Sequence, residues 1–336
     1  MTPLARTLTS RLTGLVLVCL IVGTVASCGG DAAIPITLAE SSLSVPASLS
    51  FIAREKGFWK DQGLEVKVVS FAAGRLALDA MLNGQAQFAT AAETPLATGA
   101  FRHDTYTIIA EMMNTTTETK VIARRDAGIA TPADLRGKKV AVFVGTQAEY
   151  FMDAFFSHHG MSRKEVSVVN LQPPDQVVAI VNRDIDAMVV WQPHALNALR
   201  RLGENAVVFS NEGFYTGVFC MATLRDYAAK NPDVVEKFLR GLIAAESFVE
   251  RNPDEAIAIV AKQVGISPTD LKEFYGEYAF VVKLSPVLLE VLQKEGQWAL
   301  ASGIVPAETP LPSYDQYLFP GALRRIDESR VTLSAN

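Results

Sequence analysis

From residue 34 onward, short runs rich in β-branched and apolar residues alternate with stretches whose apolar positions recur every three or four residues. The first rhythm predicts strands and the second predicts helices. Strands are expected over 34–39, 64–69, 88–92 and 105–112. A loop over 40–45 and helices over 46–57, 75–83 and 95–102 separate them. A second series opens with 120–125 and a helix start at Thr131-Pro132-Ala133-Asp134. It continues with strands over 139–144, 166–170 and 186–191 and helices over 148–159, 176–182 and 194–202. Such alternation predicts an α/β fold with mainly parallel sheets covered by helices on both faces. The polar stretch 114–119 carries no helix signal, and Asn211-Glu212-Gly213 follows the short apolar run 207–210. Both are expected to be crossings between lobes, so that 34–117 with 214–336 form the first lobe and 118–213 the second.

Residues 168–203 hold the clearest unit: strand, loop, helix, tight turn, strand, loop, helix. Its second strand runs into Gln192-Pro193, and proline suits the first helical position because that position has no intrahelical N–H bond to lose. The strand's carboxyl end then meets a helix N-terminus, whose orphan amides and dipole attract polar or anionic groups. Open α/β sheets bind ligands at such edges. Residues 76–95 are a weaker copy, with Asn83 matching Asn182, Gln87 matching Asp186, and Pro95 matching Pro193 with a slip of one residue. Two copies about 100 residues apart suggest two similar lobes.

Beyond residue 213 the pattern is mainly helical. Asn231-Pro232, Asn252-Pro253, Ser267-Pro268 and Ser285-Pro286 each pair a capping residue with proline, and three are followed by an acid in the first turn. That is the grammar of helix starts. Val234, Phe238, Leu242, Ala245 and Val249 fall on one face at helical spacing and are expected to pack in the core.

The N-terminus changes the picture. Arg6 and Arg11 precede an apolar run, 15–22, too short for a comfortable membrane span, and the run leads to Val25-Ala26-Ser27-Cys28. This predicts a signal peptide over 1–27, lipidation at Cys28 and a tether over 28–33. Removing 1–27 takes Lys+Arg from 31 to 29 against 36 Asp+Glu, a net charge of −7. With no basic run longer than two residues, nucleic acid is not an expected partner. Cys220 would then be the one cysteine left besides Cys28. It lies in the apolar strand Gly217–Ala222 and reads as a core residue. His103, His158, His159 and His194 form no H-E-x-x-H or Cys cluster, so neither a metal nor a cofactor is expected. No G-x-S-x-G elbow or P-loop occurs, and nothing demands catalysis.

The elements Asn170-Leu171-Gln172-Pro173-Pro174, Asp184-Ile185-Asp186 and Val190-Trp191-Gln192-Pro193 follow in that order. With Ile52–Trp59 and Pro132–Val142, they make most of the chain resemble the periplasmic taurine-binding proteins of ABC importers. More broadly, the chain resembles the nitrate, alkanesulfonate and thiamine-precursor binding proteins. The resemblance implies a two-lobed periplasmic-binding-protein fold of type II. It also implies a monomeric, lipid-anchored solute receptor outside the cytoplasm that delivers its ligand to the transmembrane subunit of an ABC permease. An enzyme on the same fold, or a receptor for an aminopyrimidine, is the alternative.

The pocket is expected between the lobes, at strand ends and helix N-termini. The first lobe offers Ser41, Ser42, Phe71, Glu93 and Thr94; the second offers Gly145, Thr146, Gln147, Trp191 and Gln192. Tyr215 and Thr216 follow the second crossing and can close the cleft. Hydroxyls, amides and free backbone N–H groups suit a sulfonate or nitrate. Glu93 stands where family members with anionic ligands carry a small hydroxyl residue, and Glu149 falls in a helix's first turn. A carboxylate at a helix start often stabilises the dipole; in a cleft, either acid would instead repel a bare anion and favour an amine-bearing solute.

Overall fold

The computed structural model describes residues 32–333. The expected signal peptide, Cys28 and the first four residues of the tether lie outside the described residues. The strands are β1 Ile34–Ser41, β2 Leu64–Phe71, β3 Phe88–Ala92, β4 Tyr106–Thr115, β5 Lys120–Arg124, β6 Lys139–Val142, β7 Ser167–Asn170, β8 Ala187–Val190, β9 Ala206–Phe209, β10 Gly217–Leu224 and β11 Ala279–Lys283. The helices are α1 Ser48–Glu55, α2 Phe58–Asp61, α3 Gly74–Leu82, α4 Glu93–Gly99, α5 Gln147–His158, α6 Pro173–Asn182, α7 His194–Leu202, α8 Arg225–Lys230, α9 Pro232–Arg251, α10 Pro253–Val264, α11 Pro268–Tyr275, α12 Pro286–Ala301 and α13 Pro320–Ile326. Among the described residues no helix is long and apolar enough to cross a membrane.

The strands form two sheets. The first has the order β11-β4-β10-β3-β1-β2 and the second β7-β6-β8-β5-β9. Both are mixed rather than uniformly parallel. β10 runs antiparallel between β3 and β4, β11 is antiparallel to β4, and β5 is antiparallel to β8 and β9. The alternating rhythm could not reveal this, because β10 and β11 come from the helical C-terminal part and return to a sheet begun far earlier. β11 was not legible as a strand. Its burial is uneven, since it forms the sheet's edge.

The internal repeat is visible in hydrogen bonds. Gln87, before β3, accepts from the Thr37 amide of β1 at 2.7 Å, and Asp186, before β8, accepts from the Lys139 amide at β6 at 2.9 Å. In each copy one side chain ties the start of a central strand to its parallel neighbour. The prolines are placed differently from expectation. Pro193 is the N-cap of α7, with a cis Gln192–Pro193 bond, and α4 starts at Glu93, two residues before Pro95. α6 starts at Pro173, three residues before the expected Gln176, because Pro173 and Pro174 fit its first turn. The expected helix from Pro46 to Gly57 is a 3-10 turn, Val45–Ala47, followed by α1. It ends before Gly57, whose φ of +76° breaks the chain into α2.

The C-terminal helices start at Pro232, Pro253, Pro268 and Pro286, as their grammar predicts. Of the four caps, the Ser267 side chain accepts from the Asp270 amide at 3.1 Å. Asn231 and Asn252 instead donate backward to Tyr227 and Phe248 carbonyls. These helices return to the first sheet, with α9 packed on α1, α2 and α13. The Trp59 ring stacks on Phe238 at 4.7 Å, and Phe238 stacks on Phe88 at 4.1 Å. A Cβ on Gly241 would sit 2.3 Å from Trp59 Cδ1, so glycine is what lets α9 approach. Cys220 is fully buried in β10, as expected of a core thiol.

Candidate functional site

β1 runs parallel to β2 and β3, so the carboxyl ends of all three lie side by side. That edge carries Ser41, Ser42 and Phe71, with Glu93 and Thr94 in the first turn of α4. In the second sheet β6 runs parallel to β7 and β8, and its edge carries Gly145, Thr146, Gln147, Asn170, Trp191 and Gln192. The two edges meet. A cavity of about 320 Å³ is lined from one side by Arg75, Thr94 and Trp298, and from the other by Gly145, Glu149 and Asn170.

Contacts hold the halves together around it. The Arg75 guanidinium lies 4.9 Å from the centre of the Phe143 ring, and an added Cβ on Gly145 would sit 2.6 Å from Arg75 Cδ. Trp298 of α12 donates its indole N–H to Asp153 of α5 at 2.9 Å. Arg200 of α7 forms a two-pronged ion pair with Asp270 of α11. The crossings are joined as well, since Asn211 donates to the Thr116 carbonyl at 2.8 Å.

Of the expected site residues, Thr94 and Gly145 line this cavity. Tyr215 and Thr216 line a second one of about 170 Å³ beside the crossings, with Tyr150 and Glu295. Ser41 and Ser42 sit on the right edge, where the Ser41 amide and the Ser42 hydroxyl are occupied within their own half. The Ser41 amide donates to Thr90 Oγ1 at 2.9 Å, and Ser42 Oγ lies 2.8 Å from Ser70 Oγ. Phe71 is half-buried at the end of β2. Gln147 is buried at the start of α5, and Trp191 is buried with its indole N–H unpartnered among the described residues.

The free amides expected at the helix starts are in part already taken. Glu149 accepts from the Gly145 amide at 2.8 Å, and Gln192 accepts from the Leu196 amide at 3.0 Å. The Thr146 hydroxyl donates to the Phe143 carbonyl at 2.6 Å. A carboxylate thus occupies the anion-favouring end of α5. Glu149 is further paired with Arg163 at 2.7 Å, which makes it a local cap rather than a free charge.

Glu93 behaves differently. It is buried, accepts from the Tyr215 hydroxyl at 2.7 Å and from the Val218 amide at 2.9 Å, and has no cationic partner among the described residues. Burial pushes its pKa up to about 7, against the lowering effect of those hydrogen bonds. Two more buried carboxyls lie close enough to feel its charge. Glu118 is in the first crossing and Glu295 on α12, and both are held well above the usual carboxylate range, by burial first and then by Glu93. His194, at the start of α7, is pushed the other way by burial, to about 4, and is neutral at physiological pH.

Sequence reading missed Arg75, Glu118, Trp298 and Glu295. Glu295 did leave a signal. It shares a helical stripe with Leu288, Leu292 and Ala299, and a carboxyl on an apolar stripe is out of place. Glu118 sat in a segment whose polarity read as an ordinary crossing. One constellation of metal-ligand type occurs among the described residues, His158, His159 and Glu212 beside the second crossing. Its His158–Glu212 contact of 3.1 Å is an exposed pair.

A model of the family described as NMT1/THI5 like matches residues 48–256, more than half of the chain. The chain belongs to that family. The Escherichia coli (strain K12) taurine-binding periplasmic protein is 29% identical over 254 residues, covering 71% of this chain and 76% of that protein. A putative aliphatic sulfonates-binding protein of Bacillus subtilis (strain 168) is 25% identical, covering 72% and 76%. Among solved structures, the alkanesulfonate-binding protein SsuA of Xanthomonas axonopodis pv. citri, bound to MOPS, superposes with a TM-score of 0.74 at 19% identity. It covers 85% of this chain and 98% of that one. The likeness fixes the fold as that of the periplasmic binding proteins. These relatives are named for binding, not for catalysis.

Proposed function

We propose that the protein is a lipid-anchored solute receptor of an ABC importer, outside the cytoplasm. It binds a small organic solute of the taurine or alkanesulfonate kind between its lobes and presents it to the permease. The observation that carries this reading is the pair of strand-end edges meeting on one 320 Å³ cavity, within the size range of small-molecule sites. The names of the relatives point the same way. Residues 34–117 with 214–336 act as one lobe and 118–213 as the other, and the crossings joined by Asn211 are the hinge. Anchoring is through Cys28, and the receptor works as a monomer.

Thermal-shift measurement against taurine, alkanesulfonates, nitrate and aminopyrimidines tests the reading. A receptor shows a melting temperature that climbs with ligand concentration. A flat response across the panel, or chemical turnover of a ligand, would sink it.

The latch from Trp298 to Asp153 acts in the closed form alone. Trp298→Phe keeps an aromatic ring, though a smaller one, and removes a hydrogen bond to a mostly buried carboxyl, a change of about 1.5–3 kcal/mol. The closed population is expected to fall, and small-angle scattering of the ligand-free protein should give a larger radius of gyration than wild type. An unchanged radius counts against hinge motion controlled by this contact.

A further inference from the structure

We infer that the corner of the cleft beside the crossings is a seat for an organic cation, a protonated amine or amidinium group, held by Glu93, Glu118 and Glu295. This rests on the receptor reading and narrows the solutes it takes. The three carboxyls arrive from α4, the first crossing and α12, and their exposures are 1%, 3% and 0%. Burying even one unpaired carboxylate is costly, so three buried together hold protons until a positive group reaches them. Both Glu295 oxygens and Glu118 Oε1 are buried without a hydrogen-bond partner among the described residues.

A second observation is independent of the acids. Thr94 is fully buried and lines the interlobe cavity while its hydroxyl stands beside Glu295. Glu295 itself lines the adjoining 170 Å³ cavity. Aromatic rings complete the wall. Tyr150 meets Trp298 edge-on at 5.2 Å and lies 6.1 Å from Tyr215. Carboxyls among aromatic rings are suited to ammonium and amidinium groups.

Two lysines lie near, Lys120 lowering the pKa of Glu118 and Lys294, in the wall of the 170 Å³ cavity, that of Glu295, but among the described residues neither forms an ion pair with these carboxyls. Lys120 is turned to the Thr117 carbonyl at 2.7 Å, and Lys294 to the Phe214 carbonyl at 3.3 Å. The other titratable groups facing the cluster are Tyr150 from α5, Tyr215 from the second crossing, Tyr278 and Cys220, and burial raises the pKa of each. Without a cation the cluster therefore keeps protons. When a cation enters, a carboxyl O–H breaks, its proton passes to solvent, and the carboxylate accepts N–H bonds. Affinity should rise with pH, by up to about tenfold per pH unit below 7.

The test is calorimetric titration at pH 5.5, 6.5 and 7.5 with four probes: 2-aminoethanesulfonate, 2-guanidinoethanesulfonate, acetamidine and ethanesulfonate. The cationic probes should bind, with ethanesulfonate at least tenfold weaker than its amino counterpart. Heats should depend on the buffer's ionisation enthalpy, reporting proton release. Glu295→Gln should weaken the cationic probes at least tenfold with an unchanged circular dichroism spectrum. Ethanesulfonate binding as tightly as its amino counterpart overturns the cation seat and leaves the receptor reading standing. So does full affinity in Glu295→Gln, or in wild type the absence of proton release. If none of the four probes binds, the receptor reading falls for this solute class and takes the cation seat with it.

Discussion

Between about pH 5 and pH 8 the ligand-free Glu295→Gln protein is expected to gain stability relative to wild type as the pH rises. The raised pKa of Glu295 sets the sign. Above its ordinary value of 4.5 the unfolded chain has released this proton while the native state still holds it. The native state then binds more protons, so wild-type stability contributed by this group is full below pH 4.5 and is lost as pH rises toward the folded pKa. Each such pH unit is worth about 1.4 kcal/mol. The buried amide of glutamine, if unpaired, takes back about 1–3 kcal/mol. The variant's stability relative to wild type therefore grows with pH against that fixed cost. Urea unfolding of both proteins across pH 5–8 measures it, and a difference that does not change with pH would refute the protonated, buried state of Glu295. The wild type thus loses stability with rising pH at the point where it binds, the usual tension between stability and function.

The second large effect lies in the first half's core. Trp59→Ala is expected to lower stability by about 3–5 kcal/mol. Trp59 is 2% exposed, stacked on Phe238, and donates its indole N–H to the Phe238 carbonyl at 3.0 Å. Its removal leaves a void against Gly241, which has no side chain to fill it. It also leaves α2 without its one buried residue. The shift in the urea midpoint followed by circular dichroism is the measure. A loss below about 1 kcal/mol would mean that α9 collapses onto β3 and closes the void, contrary to the close-packed stack.

Much of the α/β order was legible because it is local. The units β7-α6-β8-α7 and α3-β3-α4 announce themselves through periodicity, Gly84 and the prolines, and the Gln87–Asp186 correspondence survives down to the hydrogen bond each makes. Strand direction was less legible. β10 and β11 owe their places to partners far away in sequence, and no local pattern encodes which neighbour a strand will find. The site followed the same division. Strand-end residues such as Thr94 and Gly145 could be named from the strand-to-helix pattern, whereas Arg75 and Trp298 reach the cleft through tertiary packing. Side-chain commitments were invisible too. Nothing in the sequence says that Glu149 caps its own helix and pairs with Arg163 while Glu93 finds no cation.

β3 and β4 never touch, because β10 is inserted between them. On the ribosome, a nascent chain that has emerged only to residue 213 therefore has two open strand edges where the finished sheet has its middle. Local folding of residues 118–213 can proceed, but the earlier residues must wait for a segment made after them. Until then those edges are available to any other extended chain, a route to aggregation. Truncation just before Gly217 should accordingly cost the first sheet its centre rather than its rim.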